Sequence, residues 1–292
     1  MSCFGYQGFS NAKFGRIECH ESINAFAREI LLDAKAALED GGWRVLHGIV
    51  DSIGVTPAPD VPEPERRPLD AIAAAVSEAA RIELEYEDAF DWVAFCPRRD
   101  GDGGALTRYF GRRRDVAYPA SGLGDAVKVR GIEARQDDTP PWIARLQAAL
   151  IRTLDETHDA AAVVGTLRRW LGRVADGAVD PEALIVEQRV SKHVEQYRHE
   201  TVTVAALKRA TWKDCALAPG QQVRYVVVDD DATGLGRVRL AHESLSGYDG
   251  DWYRAEAIRA AESVLSPLGM DRGEIRERLS GTTAATLDSY QS

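Results

Sequence analysis

The stretch WRVLHGIVDSIGVTP, residues 43–57, carries one carboxylate, Asp51, at the break between two apolar runs. Because the apolar residues stop at Asp51 and Ser52 and then resume, the pattern predicts two strands joined by a tight turn. Asp and Ser are ordinary turn residues, since their side chains hydrogen-bond the local backbone. A carboxylate held on a rigid hairpin is also a ligand for a hard cation such as Mg²⁺, which keeps open positions for phosphate. Spacing alone leaves both roles open.

Basic residues with an aromatic neighbour are concentrated in LTRYFGRRRD, residues 106–115. Arginine binds phosphate in bidentate geometry, so this segment is typical of a strand that contacts a phosphate backbone. It is equally compatible with a solvated Arg-rich loop. The segment KVRGIEARQDD, residues 128–138, adds further cations and favours binding. The candidate phosphate-contacting residues are Arg108, Tyr109, Lys128, Arg130 and Arg135.

A third candidate is the segment FGYQG, residues 4–8. Gly5 and Gly8 would allow a loop whose backbone, together with the Phe4 ring, lies against a flat partner such as a base pair. The six histidines and four cysteines have no metal-ligand spacing, which disfavours a structural zinc site. Phe4, Gly5 and Gly8 are therefore candidates for contact with such a partner, and no zinc site is expected.

Composition limits the class of protein. The 292 residues carry a net charge of -10, so nucleic-acid binding must come from a local basic patch and not from the whole surface. Widely spaced cysteines fit a reduced compartment, and no stretch approaches eighteen consecutive apolar residues. We therefore expect a globular cytoplasmic protein without a membrane partner.

The elements that must position these residues follow from periodicity. Apolar residues recur at helical spacing up to Gly41, which predicts a long amphipathic helix over 12–40 before the hairpin. A second helix over 69–80 and strand patterns over 81–97 and 106–115 follow. The later pattern predicts helices over 142–154, 160–174, 181–197 and 202–210, a late pair of strands in QQVRYVVVDDD and GRVRLAHE, and a last helix that starts at Asp251. Together they predict an α+β fold.

In order along the chain, these pieces resemble the C-terminal half of the family B DNA polymerases, closest to archaeal members. SCFGYQG is similar to the end of the fingers motif KxxxNSxYGxxG, and HGIVDS takes the place of the palm motif YGDTDS. LTRYFG resembles the KKRY element, and GIEARQDD resembles the GxExVRRD segment beyond it. SKHVEQYRHETVTVAALKRA and PGQQVRYVVVDD resemble the thumb.

The resemblance implies a partial palm of antiparallel strands packed on a long helix, then a mainly helical thumb. Its expected limits are residues 1–42 for the end of the fingers motif and the palm helix, 43–139 for the palm and 140–292 for the thumb. It implies two catalytic Mg²⁺ ions, nucleotidyl transfer from a dNTP to a primer 3′-hydroxyl, and primer-template DNA as partner. Asp51 matches the palm aspartate that binds both ions.

Departures from the family pattern leave two hypotheses. Ile49 and Val50 replace the first aspartate and the threonine of the palm motif, and Leu106 and Thr107 replace the two lysines of KKRY. The other palm aspartate, the fingers lysine and the exonuclease domain would lie before Met1. We therefore expect a subunit of a split polymerase, a truncated gene product or a fragment. Its function is expected to be that of a catalytic polymerase portion that needs an N-terminal portion, or of a non-catalytic DNA-binding or assembly subunit derived from such a polymerase.

Overall fold

The computed structural model describes residues 2–9, 11–49, 51–98 and 103–281. These residues form eight α-helices and three small antiparallel sheets, which confirms the predicted α+β fold class. The chain divides into two compact units, residues 1–89 and 90–292. The palm and thumb limits expected at 42/43 and 139/140 rest on resemblance alone and stay a prediction. No described helix is long and apolar enough to cross a membrane.

The smaller unit is built on one long helix and the predicted hairpin. Its two strands pair antiparallel, and the described residues add no third strand to this sheet. The long helix ends at two glycines, because a Cβ on Gly41 would lie 2.5 Å from Ile72 Cδ1 and Gly42 has φ +85°. The elements are α1 (Ser2–Gln7), α2 (Ile17–Asp40), β1 (Trp43–Ile49), β2 (Ser52–Pro57) and α3 (Leu69–Ala80).

The core of the smaller unit lies where the C-terminal half of α2 meets α3 and one face of the hairpin. Its fully buried members are Ala34 and Leu38 of α2 and Ile72 and Val76 of α3. Trp43, Val45, Ile53 and Val55 of the hairpin pack around them. This packing fixes the hairpin on the helix and leaves its tip outside the core.

The larger unit contains two three-stranded sheets and five helices among its described residues. One sheet has the order β3-β4-β5 and the other β6-β7-β8. The strands are β3 (Phe90–Pro97), β4 (Gly104–Arg113), β5 (Val127–Arg130), β6 (Val186–Arg189), β7 (Gln222–Val227) and β8 (Val238–Leu240). The helices are α4 (Pro141–Thr157), α5 (Ala160–Ala175), α6 (Val202–Trp212), α7 (Gly250–Leu265) and α8 (Arg272–Ser280).

One continuous apolar core joins the helices and both sheets of the larger unit. Its largest fully buried side chains include Trp142, Phe110 and Tyr253. The Tyr253 hydroxyl donates to the Leu184 carbonyl oxygen at 2.7 Å and accepts from Val227 N–H at 3.1 Å. A buried hydroxyl with both partners costs little and fixes α7 against β7.

Four sequence predictions of local structure are wrong. Within the segment predicted as a helix over 181–197, Val186–Arg189 form β6, because Val186 is buried beside β7 and pairs with Tyr225. Only Phe90–Pro97 of the stretch 81–97 is a strand. In residues 81–89, apolar and charged side chains alternate, but most of these side chains are exposed, so no apolar face is buried. The long helix begins at Ile17 and not at residue 12, and residues 2–7 are helical where a loop was expected. The late strand pair is confirmed as β7 and β8.

Candidate functional site

Asp51 lies at the exposed tip of the hairpin, between β1 and β2. Ile49 and Ser52 pair at the ends of the two strands, and Ser52 Oγ donates to the Ile49 carbonyl oxygen at 3.3 Å. Within the described parts of the chain, no hydrogen bond or ion pair uses the Asp51 carboxylate. Its oxygens are therefore available to a ligand, and the described turn contact comes from Ser52.

The two faces of the hairpin have different roles. A Cβ on Gly48 would lie 3.7 Å from Leu31 Cδ2, so this face lies on α2. The opposite face carries His47, whose ring lies over Gly54: a Cβ there would come within 2.6 Å of His47 Cε1. Because side chains alternate along a strand, Ile49 lies on the His47 face, next to the tip. Sequence reasoning gave His47 no role beyond that of an ordinary histidine.

A metal needs more ligands than the smaller unit shows. Carboxylate oxygen suits Mg²⁺, so exposed Asp51 fits one ligand position. The described residues nevertheless contain no group of three His, Cys, Asp or Glu side chains that could hold a metal ion. Among the described residues, Asp51 is therefore a single candidate ligand and not part of a cluster of three.

Phe4 and Gly8 are brought together by His20, which sequence reasoning treated as an ordinary histidine. The Phe4 and His20 rings stack with centroids 4.2 Å apart, and His20 Nδ1 is 3.2 Å from the Phe4 carbonyl oxygen. A Cβ on Gly8 would lie 3.1 Å from the His20 ring, whereas a Cβ on Gly5 would meet nothing within 4 Å. Gly8 thus serves the contact with α2, and Gly5 leaves open surface. Their role in template or nucleotide binding stays a prediction.

Three of the five candidate DNA-binding residues share one face of the β3-β4-β5 sheet. Tyr109 pairs directly with Arg130, and Lys128 lies two residues before Arg130 on the same strand. The Phe95 ring on β3 lies beside Tyr109, with ring centroids 5.3 Å apart. Since directly paired residues and residues two apart point to one side, this face combines two aromatic rings with two cations. Such a surface is suited to a phosphate backbone.

Arg108 lies on the opposite face of β4, toward the core. Its Nη2 donates to Ser263 Oγ at 2.8 Å and lies 3.5 Å from Glu133 Oε1, and its Nε donates to the Gly131 carbonyl oxygen at 3.3 Å. These contacts occupy much of the guanidinium. Arg135, in contrast, is exposed in the short 3₁₀ turn after Gly131.

Glu133 is a buried residue of the segment 128–138 that the sequence pattern did not single out. Gln147 Nε2 donates to Glu133 Oε2 and to the Ala260 carbonyl oxygen, each at 2.8 Å. Gly131 has φ +63°, and a Cβ there would lie 2.2 Å from the Thr107 carbonyl oxygen. The glycine permits close approach to β4, and the glutamate two residues later enters the core. The pair Gly-x-Glu is the sequence signal that indicates this arrangement.

The chain is similar to archaeal DNA polymerases over nearly its whole length, and no protein-family model matches it. It is 22% identical to a DNA polymerase of Pyrococcus glycovorans over 98% of this chain and 36% of that polymerase. It is 21% identical to a DNA polymerase of Thermococcus kodakarensis over 94% of this chain and 16% of that protein. The solved structure of the family B DNA polymerase of Pyrobaculum calidifontis is similar over 92% of this chain and 33% of the polymerase chain. The TM-score is 0.58 and the sequence identity is 22%.

These similarities confirm the resemblance that the motifs indicate, and they confirm it for part of a polymerase only. The chain spans between about a sixth and about a third of the length of these relatives. The fold shared with the solved polymerase agrees with the α+β architecture described above.

Proposed function

We propose that this homologue of part of an archaeal family B DNA polymerase is the palm and thumb portion of a DNA-directed DNA polymerase. In this role it takes part in template-dependent nucleotidyl transfer from a dNTP to a primer 3′-hydroxyl. The observation that carries the proposal is the exposed carboxylate of Asp51 at the tip of a hairpin, at the position of the second palm-motif aspartate. Localisation in the cytoplasm is part of the same proposal.

In the proposed mechanism, Asp51 is a ligand of the catalytic Mg²⁺ ions. Mg²⁺ bound there would favour ionisation of the primer 3′-hydroxyl and stabilise the leaving pyrophosphate. The hairpin's part is to hold the carboxylate at a fixed, exposed position. Packing of Val45 and Val55 against α2 limits how far that tip can move.

The remaining ligands come, in this proposal, from an N-terminal polymerase portion that carries the other palm motif and the exonuclease domain. Support comes from the relatives, whose chains are about three times as long or more. The 292-residue chain alone is therefore expected to be inactive in primer extension.

Primer-template DNA would lie along the face that carries Tyr109, Lys128 and Arg130, with exposed Arg135 beyond it. Contacts from cations to phosphates are indifferent to base sequence, as a polymerase requires. Arg108 contributes by fixing the strand that carries Tyr109. Phe4 and Gly5 would meet the template base or nucleotide at the other unit.

A second candidate function is a non-catalytic DNA-binding or assembly subunit derived from a polymerase. Ile49 favours it, because an apolar side chain stands at the position of the first palm-motif aspartate on the face that leads to the hairpin tip. Such a subunit would keep the cationic sheet face and lack catalysis even with its partner present.

The test compares wild type and Asp51→Asn in Mg²⁺-dependent primer extension after reconstitution with an N-terminal polymerase portion from the same organism. Asn keeps the shape of the turn residue but removes the charge that binds the metal, so extension should collapse while folding is retained. Asp60→Asn, an exposed acidic residue in the loop after β2, is the matched control and should leave extension unchanged. Full activity of Asp51→Asn would exclude the metal-ligand role, and DNA binding without extension by the wild-type pair would favour the second candidate.

A further inference from the structure

The N-terminal half of α2 exposes an apolar stripe that continues the buried stripe of its C-terminal half. Ile23 is 44% exposed and Phe26 is 66% exposed, whereas Ala34 and Leu38 further along are buried. With 3.6 residues per turn, the side chains of Cys19, Ile23, Phe26, Ala27, Ile30, Ala34, Ala37 and Leu38 lie within roughly one third of the helix circumference. One apolar face therefore runs along the whole helix, and only its second half is covered.

The smaller unit also exposes apolar side chains outside this stripe. Most of the exposed large hydrophobic side chains belong to residues 2–89, although these are less than a third of the described chain. Its core has four buried residues, and its sheet has two strands among the described residues. A core this small and an isolated two-stranded hairpin are marginal without additional packing.

We infer that the stripe formed by Cys19, Ile23, Phe26 and Ala27 is the docking surface for the polymerase portion that carries the other palm motif. The inference rests on the proposed function, since that function requires such a portion. It assigns the portion a place on this chain: against the uncovered half of α2, whose covered half already supports the Asp51 hairpin. About two thirds of the solved polymerase chain has no counterpart in this sequence, which leaves ample polypeptide to cover the stripe.

The net charge of the chain favours a different polypeptide over a second copy or a membrane. The 292 residues carry a net charge of -10. Two copies of the chain would repel each other, and an anionic bilayer would repel the chain. The partner surface should have an apolar centre that faces Ile23 and Phe26.

The experiment uses the full 292-residue chain, immobilised and exposed to a soluble lysate of its source organism, with retained proteins identified by mass spectrometry. The wild type should retain a polypeptide whose sequence carries the exonuclease domain and the other palm motif. The double variant Ile23→Ser/Phe26→Ser should bind the purified form of that polypeptide at least about tenfold more weakly by calorimetry. Leu32→Ser is the matched control, because Leu32 is 56% exposed on the opposite face of α2, and its affinity should equal that of the wild type.

Circular dichroism establishes that the three proteins are equally folded, as expected for changes at exposed positions. Retention of no such polypeptide, or equal affinity of the double variant, would overturn the inference. A wild-type dimer that the double variant abolishes would assign the stripe to a second copy instead. Primer extension by the purified pair separates the two proposals. A pair that docks through the stripe but does not extend primers contradicts the proposed function alone. A pair that extends primers, with equal affinity of the wild type and the double variant, contradicts the docking surface alone.

Discussion

Arg108 and Glu133 lie 3.5 Å apart, Nη2 to Oε1, and join the two segments that resemble the KKRY and GxExVRRD elements of polymerases. The Glu133 side chain is 6% exposed and that of Arg108 is 36% exposed. Backbone contact adds to the junction, since Arg108 Nε donates to the Gly131 carbonyl oxygen. The motif arginine thus connects β4 to the turn after β5, and the next residue, Tyr109, faces the other way.

Arg108→Ala should lower the free energy of unfolding by roughly 1–3 kcal/mol, because it removes hydrogen bonds of a partly buried network and the ion partner of buried Glu133. Arg130→Ala, at an exposed position on the same sheet, should change it by less than about 0.5 kcal/mol. Urea denaturation followed by tryptophan fluorescence measures both. Equal stability of the two variants would mean that the Arg108 contacts contribute nothing to folding.

DNA affinity should depend more on Arg130 than on Arg108, which is the reverse of their expected effects on stability. Arg130→Ala and Lys128→Ala should each weaken binding to duplexes of any sequence and reduce the slope of log K against log salt by about 1. Fluorescence anisotropy with two unrelated primer-template duplexes at several salt concentrations measures this. Arg224→Ala, whose exposed side chain pairs with Glu187, is a control for loss of charge alone. A salt slope unchanged by either of the first two substitutions would remove the sheet face from the DNA-binding surface.

Asp155 should be essential for the position of that sheet. It accepts from Trp92 Nε1 at 2.7 Å and from the Tyr118 hydroxyl at 3.0 Å, and it lies 3.3 Å from Arg112 Nε. Burial and the bond to Asp155 raise the pKa of Tyr118, which therefore stays a donor at neutral pH. Asp155→Ala leaves three donors without their acceptor and should cost about 3 kcal/mol of stability, measured by urea denaturation.

The exposed pair of Asp91 and Arg114 provides the comparison, with Asp91→Ala expected to cost less than about 1 kcal/mol. A cost for Asp155→Ala no larger than that for Asp91→Ala would show that this network does not hold β3 and β4 to α4.

Local sequence signals were sufficient for the elements whose periodicity and end signals agree. The hairpin and the 69–80 helix are examples, since the hairpin turns at Asp51 and Ser52, the helix begins after Pro68, and each buries one consistent face. The stretch 181–197 has apolar residues at helical spacing, yet Val186 forms a strand because β7 offers a partner thirty-nine residues later. Such long-range pairing is invisible to a local pattern.

The candidate site was predictable in residue type but not in orientation. Their positions in two neighbouring basic segments grouped Arg108 with Arg130. The alternation of side chains along a strand places them on opposite faces of the sheet. His20 and His47 had no signal in metal-ligand spacing, and each is indicated only by a glycine that makes room for its ring, Gly8 and Gly54. The position of Asp51, in contrast, was predictable, because its place at an exposed tip follows directly from the turn pattern.

The ion pair of Arg209 and Glu243 should make the stability of the larger unit depend on pH in the acid range. Glu243 accepts from Arg209 Nε at 2.5 Å and from Arg209 Nη2 at 2.8 Å, with side chains 12% and 10% exposed. The bonds from Arg209 are the main cause that lowers the pKa of Glu243 from 4.5 to about 2. A carboxyl group whose pKa is lower in the folded state stabilises the fold above its unfolded pKa and loses this contribution as the pH falls through the folded one. At about 1.4 kcal/mol per pKa unit, the contribution is at most about 3.5 kcal/mol at neutral pH.

Glu243→Gln should therefore destabilise the protein most at pH 7, and the difference from wild type should shrink as the pH falls from about 5 to about 2. Urea denaturation at several pH values in this range measures the difference. Glu187→Gln, which breaks the exposed pair with Arg224, is the matched control and should cost less than about 1 kcal/mol at pH 7. A difference between wild type and Glu243→Gln that stays constant from pH 7 to pH 2 would contradict the lowered pKa and assign the effect to lost packing.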